Sequence, residues 1–406
     1  MAWRNIWRNP RRSILTILAI TFATLLLVFM LSWQFGSYDT MINFAVRIHT
    51  GHVQVQANGY RDKMDIRLVV PDPAAVGDVL EKIPEVAAYT FRANAFSLVS
   101  SRDRTYGVIV IGIDPEKEAA VSTLKKLIRK GKYLASGDTD QALVGKLLAQ
   151  NLRVDVGDEL VVLGQGYDGS IAATVVTVKG IFSSGEDEFD RRSINIPLRY
   201  FQDVFSMRGA VHGVVAFGTS LDDVEKIKNT LTAGIKRVSN NEDLVVLDWM
   251  ELMPGLIQAI QMDLVSGFIM YFILIVVVAF SILNTFLMAI FERTREFGVL
   301  MAMGTTPGRL TKLLLFESAG ITFIGIIVGI IFGSLITGYF QAHGIVISGA
   351  SEILRQYGLP ERMYPQLSVL SVSVGAGIVL IVTILAALYP AFKVRRLRPV
   401  EAMTAA

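Results

Sequence analysis

Four long apolar runs divide this chain, with one very long polar stretch and shorter polar links between them. Residues 13–33 carry no charge. As a helix rising about 1.5 Å per residue, that run spans roughly 31 Å, one hydrocarbon core. Residues 264–291 are uncharged, 313–340 are interrupted only by Glu317, and 367–392 are uncharged again. The pattern predicts four transmembrane helices. The second run is longer than one span needs, which implies tilt or protrusion. Helix-compatible sequence at 36–46 and 254–266 extends two spans as stalks. In the second stalk Leu256, Ile257, Ile260 and Leu264 recur at helical spacing. No small-x-small cleavage site follows the first run, so it reads as an uncleaved membrane helix and not as a signal peptide.

Between the first two runs, over about 47–253, the period changes. Alternating, β-rich segments occur at 51–56, 66–70, 91–100, 106–113, 160–163, 172–179, 211–217 and 244–247. Helical periodicity occurs at 73–83, 116–128, 141–151 and 221–238. Pro84, Gly157 and the glycine- and serine-rich segments 164–169 and 183–185 punctuate this order. The expected domain is α+β, in two parts. Strands and helices near 47–113 and 211–249 form one part, and a strand-rich lobe at about 114–209 is inserted as the second.

Residues 291–310 carry a compact group of charges between the second and third apolar runs. Glu292, Arg293, Arg295 and Glu296 follow the uncharged run, and then Phe297, Leu300 and Met301 share one helix face. Gly304 is placed to end that helix in the left-handed conformation. Thr306 can cap the next helix, with Pro307 at its first position. A short helix with an exposed apolar face at a membrane edge suits a partner's groove; an interfacial loop with no partner is the alternative.

Composition supports the membrane reading, with 52 % hydrophobic residues and a mean hydropathy of +0.47. The net charge of +3 gives no case for nucleic acid. The position of the basic residues is more informative. Arg4, Arg8, Arg11 and Arg12 lie before the first run, Arg293, Arg295, Arg309 and Lys312 between the second and third, and Lys393, Arg395, Arg396 and Arg398 after the fourth. The loop at 341–366 has only Arg355 and Arg362. By the positive-inside rule both termini are cytoplasmic and the 47–253 domain lies outside the cytoplasm. Trp3 and Trp7, four residues apart, suit an interfacial helix over 1–12.

Candidate chemistry is sparse. The chain has no cysteine, which excludes disulfides and thiol catalysis, and no phosphate-binding loop, so it does not cradle ATP that way. His49 and His52 lack a third ligand nearby, and the acidic residues Glu186, Asp187, Glu188 and Asp190 lack the EF-hand pattern. Solvated or packing roles are expected for both groups, with no metal and no catalytic residue. Gly325, Gly329 and Gly333 form a ridge for close helix approach, either to a second copy or, as favoured here, to the fourth span. Glu317, near the cytoplasmic edge, is expected to snorkel or to pair with Arg309 or Lys312. Phe29, Met30, Trp33 and Phe35 stand near the outer end of the first span. There they either contact the bilayer or line a lipid-accepting cavity.

Three segments carry a family resemblance. Arg4, Asn5, Arg8, Asn9, Arg12 and Ser13 resemble an elbow helix. Residues 292–298 with Met303 and Gly304 resemble a coupling helix. Tyr389, Pro390 and Ala391, with Arg395, Arg396, Pro399, Val400, Glu401 and Ala402, resemble a C-terminal signature. With the one-plus-three arrangement of spans, the chain resembles the FtsX/MacB-like permeases, the type VII superfamily of ABC transporters. Its length and lack of a fused ATPase are most similar to the lipoprotein-releasing members. Met301 departs from the resemblance, because a basic residue is expected there in many relatives.

The resemblance implies a porter-like fold with an inserted sabre-like lobe. It divides the chain into an elbow (1–12), a first span with stalk (13–46), a periplasmic domain (47–253), a stalk with second span (254–291) and a coupling helix (292–304). A third span (307–340), an outer loop (341–366), a fourth span (367–392) and a cytoplasmic tail (393–406) complete it. Glu292, Arg293, Arg295, Glu296, Phe297, Gly298, Leu300, Met301, Met303 and Gly304 would couple to a cytoplasmic ATPase dimer, which would hold ATP and Mg²⁺. The implied partners are a second permease subunit, identical or not, membrane lipid, a lipoprotein or other amphiphilic substrate, and a periplasmic carrier or adaptor. Efflux of peptides or hydrophobic drugs, or signalling to a cell-wall hydrolase, remain alternatives.

Overall fold

The structure is a computed structural model that describes residues 10–48, 50–238, 243–346 and 362–395. The elbow residues 1–9, His49, most of the 341–366 loop and the tail from 396 lie outside the described residues. The chain divides into two units: a helical one (1–40, 259–346 and 362–406) and a mixed one (41–258 with 347–361).

In the helical unit, α1 (Pro10–Ile48) enters from the N-terminal side and continues past the boundary between the units. The other long helices are α10 (Pro254–Ala302), α11 (Pro307–His343) and α12 (Val369–Arg395). Each of the four contains a window long and apolar enough to cross a membrane. The glycine ridge of α11 faces α1. A Cβ on Gly329 would stand 2.6 Å from Thr24 Cβ, and one on Gly325 would stand 2.8 Å from Ile20 Cβ. The partner expected for this ridge, the fourth span or a second copy, is replaced by the first span. Small residues let the two backbones approach, and Thr21 Oγ1 donates to the Gly325 carbonyl at 3.1 Å across that contact. α12 meets α1 through Gly375, whose Cβ would lie 3.2 Å from Val28, and Ser32 Oγ donates to Ser371 Oγ at 2.8 Å.

In the mixed unit the strands are β1 (Val53–Ala57), β2 (Val86–Ser101), β3 (Arg104–Ile113), β4 (Ile128–Gly131) and β5 (Gln141–Gly145), followed by β6 (Glu159–Gln165), β7 (Ile171–Phe182), β8 (Ser193–Pro197), β9 (Gly213–Gly218) and β10 (Leu244–Asp248). Between them lie α2 (Tyr60–Lys63), α3 (Pro73–Leu80), α4 (Pro115–Val121), α5 (Lys146–Leu152), α6 (Asp187–Arg192), α7 (Leu198–Val204), α8 (Val224–Val238) and α9 (Trp249–Leu252). Local capping sets several of these starts. Asp72 Oδ1 accepts from Ala75 N before Pro73, and Asp114 Oδ1 accepts from Glu116 N before Pro115. Asp248 and Glu251 form a capping box.

The strand order is β10–β1–β9–β2–β3–β8–β5–β7–β4, and β6 pairs both β2 and β7. The pairings therefore close a ring, β2–β3–β8–β5–β7–β6, in which β6 joins the far part of β2 (97–100) and β8 joins the near part of β3 (109–113). Ala95, Val99, Val110, Val144, Val162 and Ile194 belong to its core. The near half of β2 pairs β9 instead. There a second core holds Val55, Leu80, Val214 and Leu231 between the open sheet and helices α3 and α8. Residues 114–209 thus build no sheet of their own; they complete a ring on β2 and β3. Three strands depart from the expected pattern. β5 occupies the start of an expected helix, and β4 and β8 fall where no strand was read, while 66–70 forms only an isolated bridge at Val70.

Candidate coupling site

Helix α10 carries the charged stretch without a break as far as Ala302. Residues 292–302 include no proline and only one glycine, Gly298, so nothing in the sequence stops the helix at Phe291. The separate helix expected at 292–304 is the last three or so turns of α10. It stops at Gly304. Gly304 N donates to the Met301 carbonyl and Thr305 N to the Leu300 carbonyl, each at 3.0 Å. Those two bonds make a Schellman motif, and Gly304, with φ +94, occupies its left-handed position. Thr306, at φ −73 and ψ 143, stands at the N-cap of α11, and Pro307 follows it. The Thr306 hydroxyl makes no capping bond; its carbonyl accepts instead from Arg309 N at 3.0 Å and Leu310 N at 3.3 Å.

The apolar face expected to meet a partner is turned inward. Phe297 is fully buried, in one cluster with Ile290, Met301 and Leu310, and Leu300 and Leu314 pack on it. This corrects the expected docking role of Phe297, Leu300 and Met301: they brace α10 against α11. Leu310 and Leu314, four apart on the next helix, were the signal in the sequence that this face has a partner within the chain. Gly298 is buried beside them. Arg295, Val299, Ala302 and Met303 remain exposed, Met303 at 70 %. Their spacing of four, three and one places them on a single stripe. Glu296 is also exposed. Glu292 and Arg293 lie on the helix backbone, with their side chains outside the described residues.

The other candidate set is dispersed. Phe29 stacks on Trp33 with centroids 6.5 Å apart and meets Phe340 edge-on at 6.0 Å, so both rings serve packing within the helical unit. The Met30 carbonyl accepts from the Tyr271 hydroxyl at 3.4 Å, and Phe35 is half-buried. An apolar groove of about 610 Å³ lies between α11 and α12, lined by Phe323, Ile326, Leu380 and Ile384. Of the expected polar sites, His52 is buried, and its Nδ1 accepts from Gly218 N at 2.9 Å. Asp190 is 3 % exposed and accepts from Ser184 N and Oγ. Burial raises its carboxyl above the usual range. The acidic cluster is thus partly a loop-closing device, and Glu188 pairs with Arg192 at 3.1 Å.

Comparison with known proteins fixes the family. Residues 13–233, more than half of the chain, match the MacB-like periplasmic core domain, and residues 268–399 match the FtsX-like permease C-terminal domain. The chain belongs to the FtsX/MacB-like permeases. It is a membrane-embedded ABC transporter permease of the type VII superfamily, with four apolar helices and a large mixed-sheet domain. Permease subunits of this kind are generally non-catalytic, and the family implies an ATPase partner and oligomerisation. The chain is 25 % identical, over 74 % of each sequence, to the lipoprotein-releasing system transmembrane protein LolC of Xylella fastidiosa. It is 22 % identical to LolE of Haemophilus influenzae, over 80 % of this chain and 79 % of that one. The solved periplasmic region of MacB from Actinobacillus actinomycetemcomitans aligns with 52 % of this chain and 92 % of its own, at 12 % identity and a TM-score of 0.38.

Proposed function

We propose that this permease releases lipoproteins from the bacterial inner membrane, driven by a separate cytoplasmic ATPase, with both termini cytoplasmic and the mixed domain in the periplasm. The basic residues flanking the apolar runs support that orientation. The observation that carries the coupling reading is the base of the α10–α11 hairpin. There a buried cluster around Phe297 holds the turn rigid, while Arg295, Val299, Ala302 and Met303 are presented outward. ATP and Mg²⁺ belong to the ATPase, whose closure would push on that stripe. The cargo assignment rests on the likeness to lipoprotein-releasing proteins over about three quarters of each sequence. Resemblance to LolC and to LolE alike leaves room for a pair of identical or of different permease chains.

The test is reconstitution. The purified chain should hydrolyse no ATP until its ATPase is added, and the pair should then release a lipoprotein to a soluble carrier. Met303→Asp, which places a charge on the exposed stripe, should weaken ATPase binding by about tenfold or more. Phe297→Asp is unsuitable, because it buries a charge inside the hairpin. Unchanged affinity in Met303→Asp would move the docking surface elsewhere. ATP-driven release of peptides or drugs in place of lipoproteins would change the cargo.

A further inference from the structure

A cavity of about 340 Å³ opens on the mixed domain, on the face of β3 and β8 opposite the ring's core. Sheet register builds its floor. Asn94 on β2 lies opposite Ile111 on β3, and Ile111 lies opposite Asn195 on β8. One residue pair further along, Arg92 faces both Ile113 on β3 and Gly213 on β9. Strands from both halves of the domain therefore share one floor. Helix α4, the turn at Leu124–Leu127 and helix α6 also line the cavity.

Its charge is largely cancelled. Arg92, 8 % exposed, holds Glu118, 2 % exposed, through two contacts of 2.6 and 3.1 Å. At the rim Arg192 pairs with Glu188, and Glu186 adds a further acid. The lining therefore offers no net positive charge to an anion. Its body is aliphatic, with Ile109, Ile111, Leu124 and Leu127. One polar group stands apart. Asn195 is 2 % exposed and lines the cavity, and its Nδ2 has no hydrogen-bond partner. A buried amide N–H calls for an acceptor.

We propose that this cavity binds an uncharged amphiphile, an aliphatic body carrying a carbonyl oxygen that accepts from Asn195 Nδ2. The volume lies at the low end of the roughly 300–1,000 Å³ typical of small-molecule sites, which suits a medium-chain amide and excludes a whole lipid. The site is independent of the cargo assigned above.

The probe is octanamide, added to the full-length protein in nanodiscs. The chain has no cysteine, so Met64→Cys at the cavity rim, 63 % exposed, accepts a single trifluoromethyl label for ¹⁹F NMR. Octanamide should shift that resonance saturably, and octanoate should bind more weakly. The same label at Ile171→Cys, 80 % exposed and outside the cavity lining, should not respond. Asn195→Leu should weaken octanamide binding about tenfold, the worth of one good hydrogen bond. The proposal is overturned if no saturable shift appears, if the Ile171→Cys label responds equally, if octanoate binds as well as octanamide, or if Asn195→Leu binds as tightly as the parent.

Discussion

The glycine ridge offers the sharpest test of the helical unit. A methyl group on Gly329 would stand 2.6 Å from Thr24 Cβ and 2.8 Å from the Thr21 carbonyl oxygen. Carbon atoms in ordinary contact stay about 3.5–4.0 Å apart, so α1 would have to retreat by roughly 1 Å. Because one obstacle is backbone, no rotamer change relieves it. Overpacking of this kind costs typically 1–3 kcal/mol, against a helix-propensity gain of about 1 kcal/mol for alanine over glycine. Gly325→Ala meets Ile20 at 2.8 Å and should behave similarly, whereas Gly333→Ala meets nothing closer than 3.2 Å and should cost less. Gly338, on the same helix, has nothing within 4 Å, so Gly338→Ala isolates the propensity term and should be neutral or stabilising. SDS titration of each variant in bicelles, followed by circular dichroism, should rank them 329 and 325 least stable, then 333, then 338. If Gly329→Ala unfolds at the same SDS fraction as Gly338→Ala, the ridge does not pack on α1.

Three further outcomes follow from the mixed domain and the hairpin turn. Burial holds His52 and His212 down from the ordinary 6.5 to about 4, and a backbone N–H donated to each Nδ1 matches the neutral ring. Their stabilising effect is complete above about pH 6.5 and is lost as pH falls towards 4, because the unfolded chain binds the protons first. Thermal unfolding from pH 7.5 to 4 should show stability falling with acid at up to about 2.7 kcal/mol per pH unit for the two together, and replacing both by glutamine should flatten that slope. Glu118→Gln leaves the Arg92 charge buried without its counterion and should cost about 3–5 kcal/mol by the same assay, whereas Glu188→Gln at the exposed pair should change nothing measurable. Gly304→Ala meets no atom within 4 Å, so its cost is the left-handed φ alone, about 1 kcal/mol. It should spare ATPase binding and lower cargo released per ATP hydrolysed; unchanged coupling would reduce the turn to a passive link.

The features legible in the sequence were those that a single period or a single residue type dictates. Uncharged runs gave four spans, because a bilayer core admits little else. Gly304 followed by Thr306 and Pro307 announced the hairpin turn, since each of those residues has a narrow backbone role. The short strands β5 and β8 were not legible. Ala142, Leu143, Val144, Ile194, Asn195 and Ile196 are all buried, so neither strand shows the in–out alternation that marks one. The closing of the ring was hidden for a related reason: it depends on β6 pairing both β2 and β7, a long-range choice with no local signature. The inward turn of Phe297 was missed because the apolar face of 291–303 was judged without the next helix. An apolar stripe states that something covers it and does not say what.

The same distinction applies to α10, the least enclosed of the spans. Only 6 % of its most apolar window is buried in the chain, against 39 % for α1 and 28 % for each of the other two. In water such a surface would demand a partner; in a bilayer lipid covers it without penalty, so exposure alone identifies no interface. The contacts that α10 does make are more telling. Tyr271, Leu274, Val278, Ile282 and Phe286 form one narrow stripe at helical spacing in the core of the helical unit. Above it a polar chain runs from the Tyr271 hydroxyl to Gln34 Oε1 at 2.9 Å, from Gln34 Nε2 to the Tyr38 hydroxyl at 2.9 Å, and from Tyr38 to Asp263 Oδ2 at 2.6 Å. Below it the Phe297 cluster pins α10 to α11. Directional bonds from Tyr271 and Asp263 thus fix one end and a packed turn fixes the other, while Leu274, Val278, Ile282 and Phe286 between them are apolar. A 49-residue helix pinned at two places in this way is held as a single rod between them. Under the coupling proposed above, a push on Arg295, Val299, Ala302 and Met303 would be carried along that rod to Tyr271, because neither pinned end lets the helix slip.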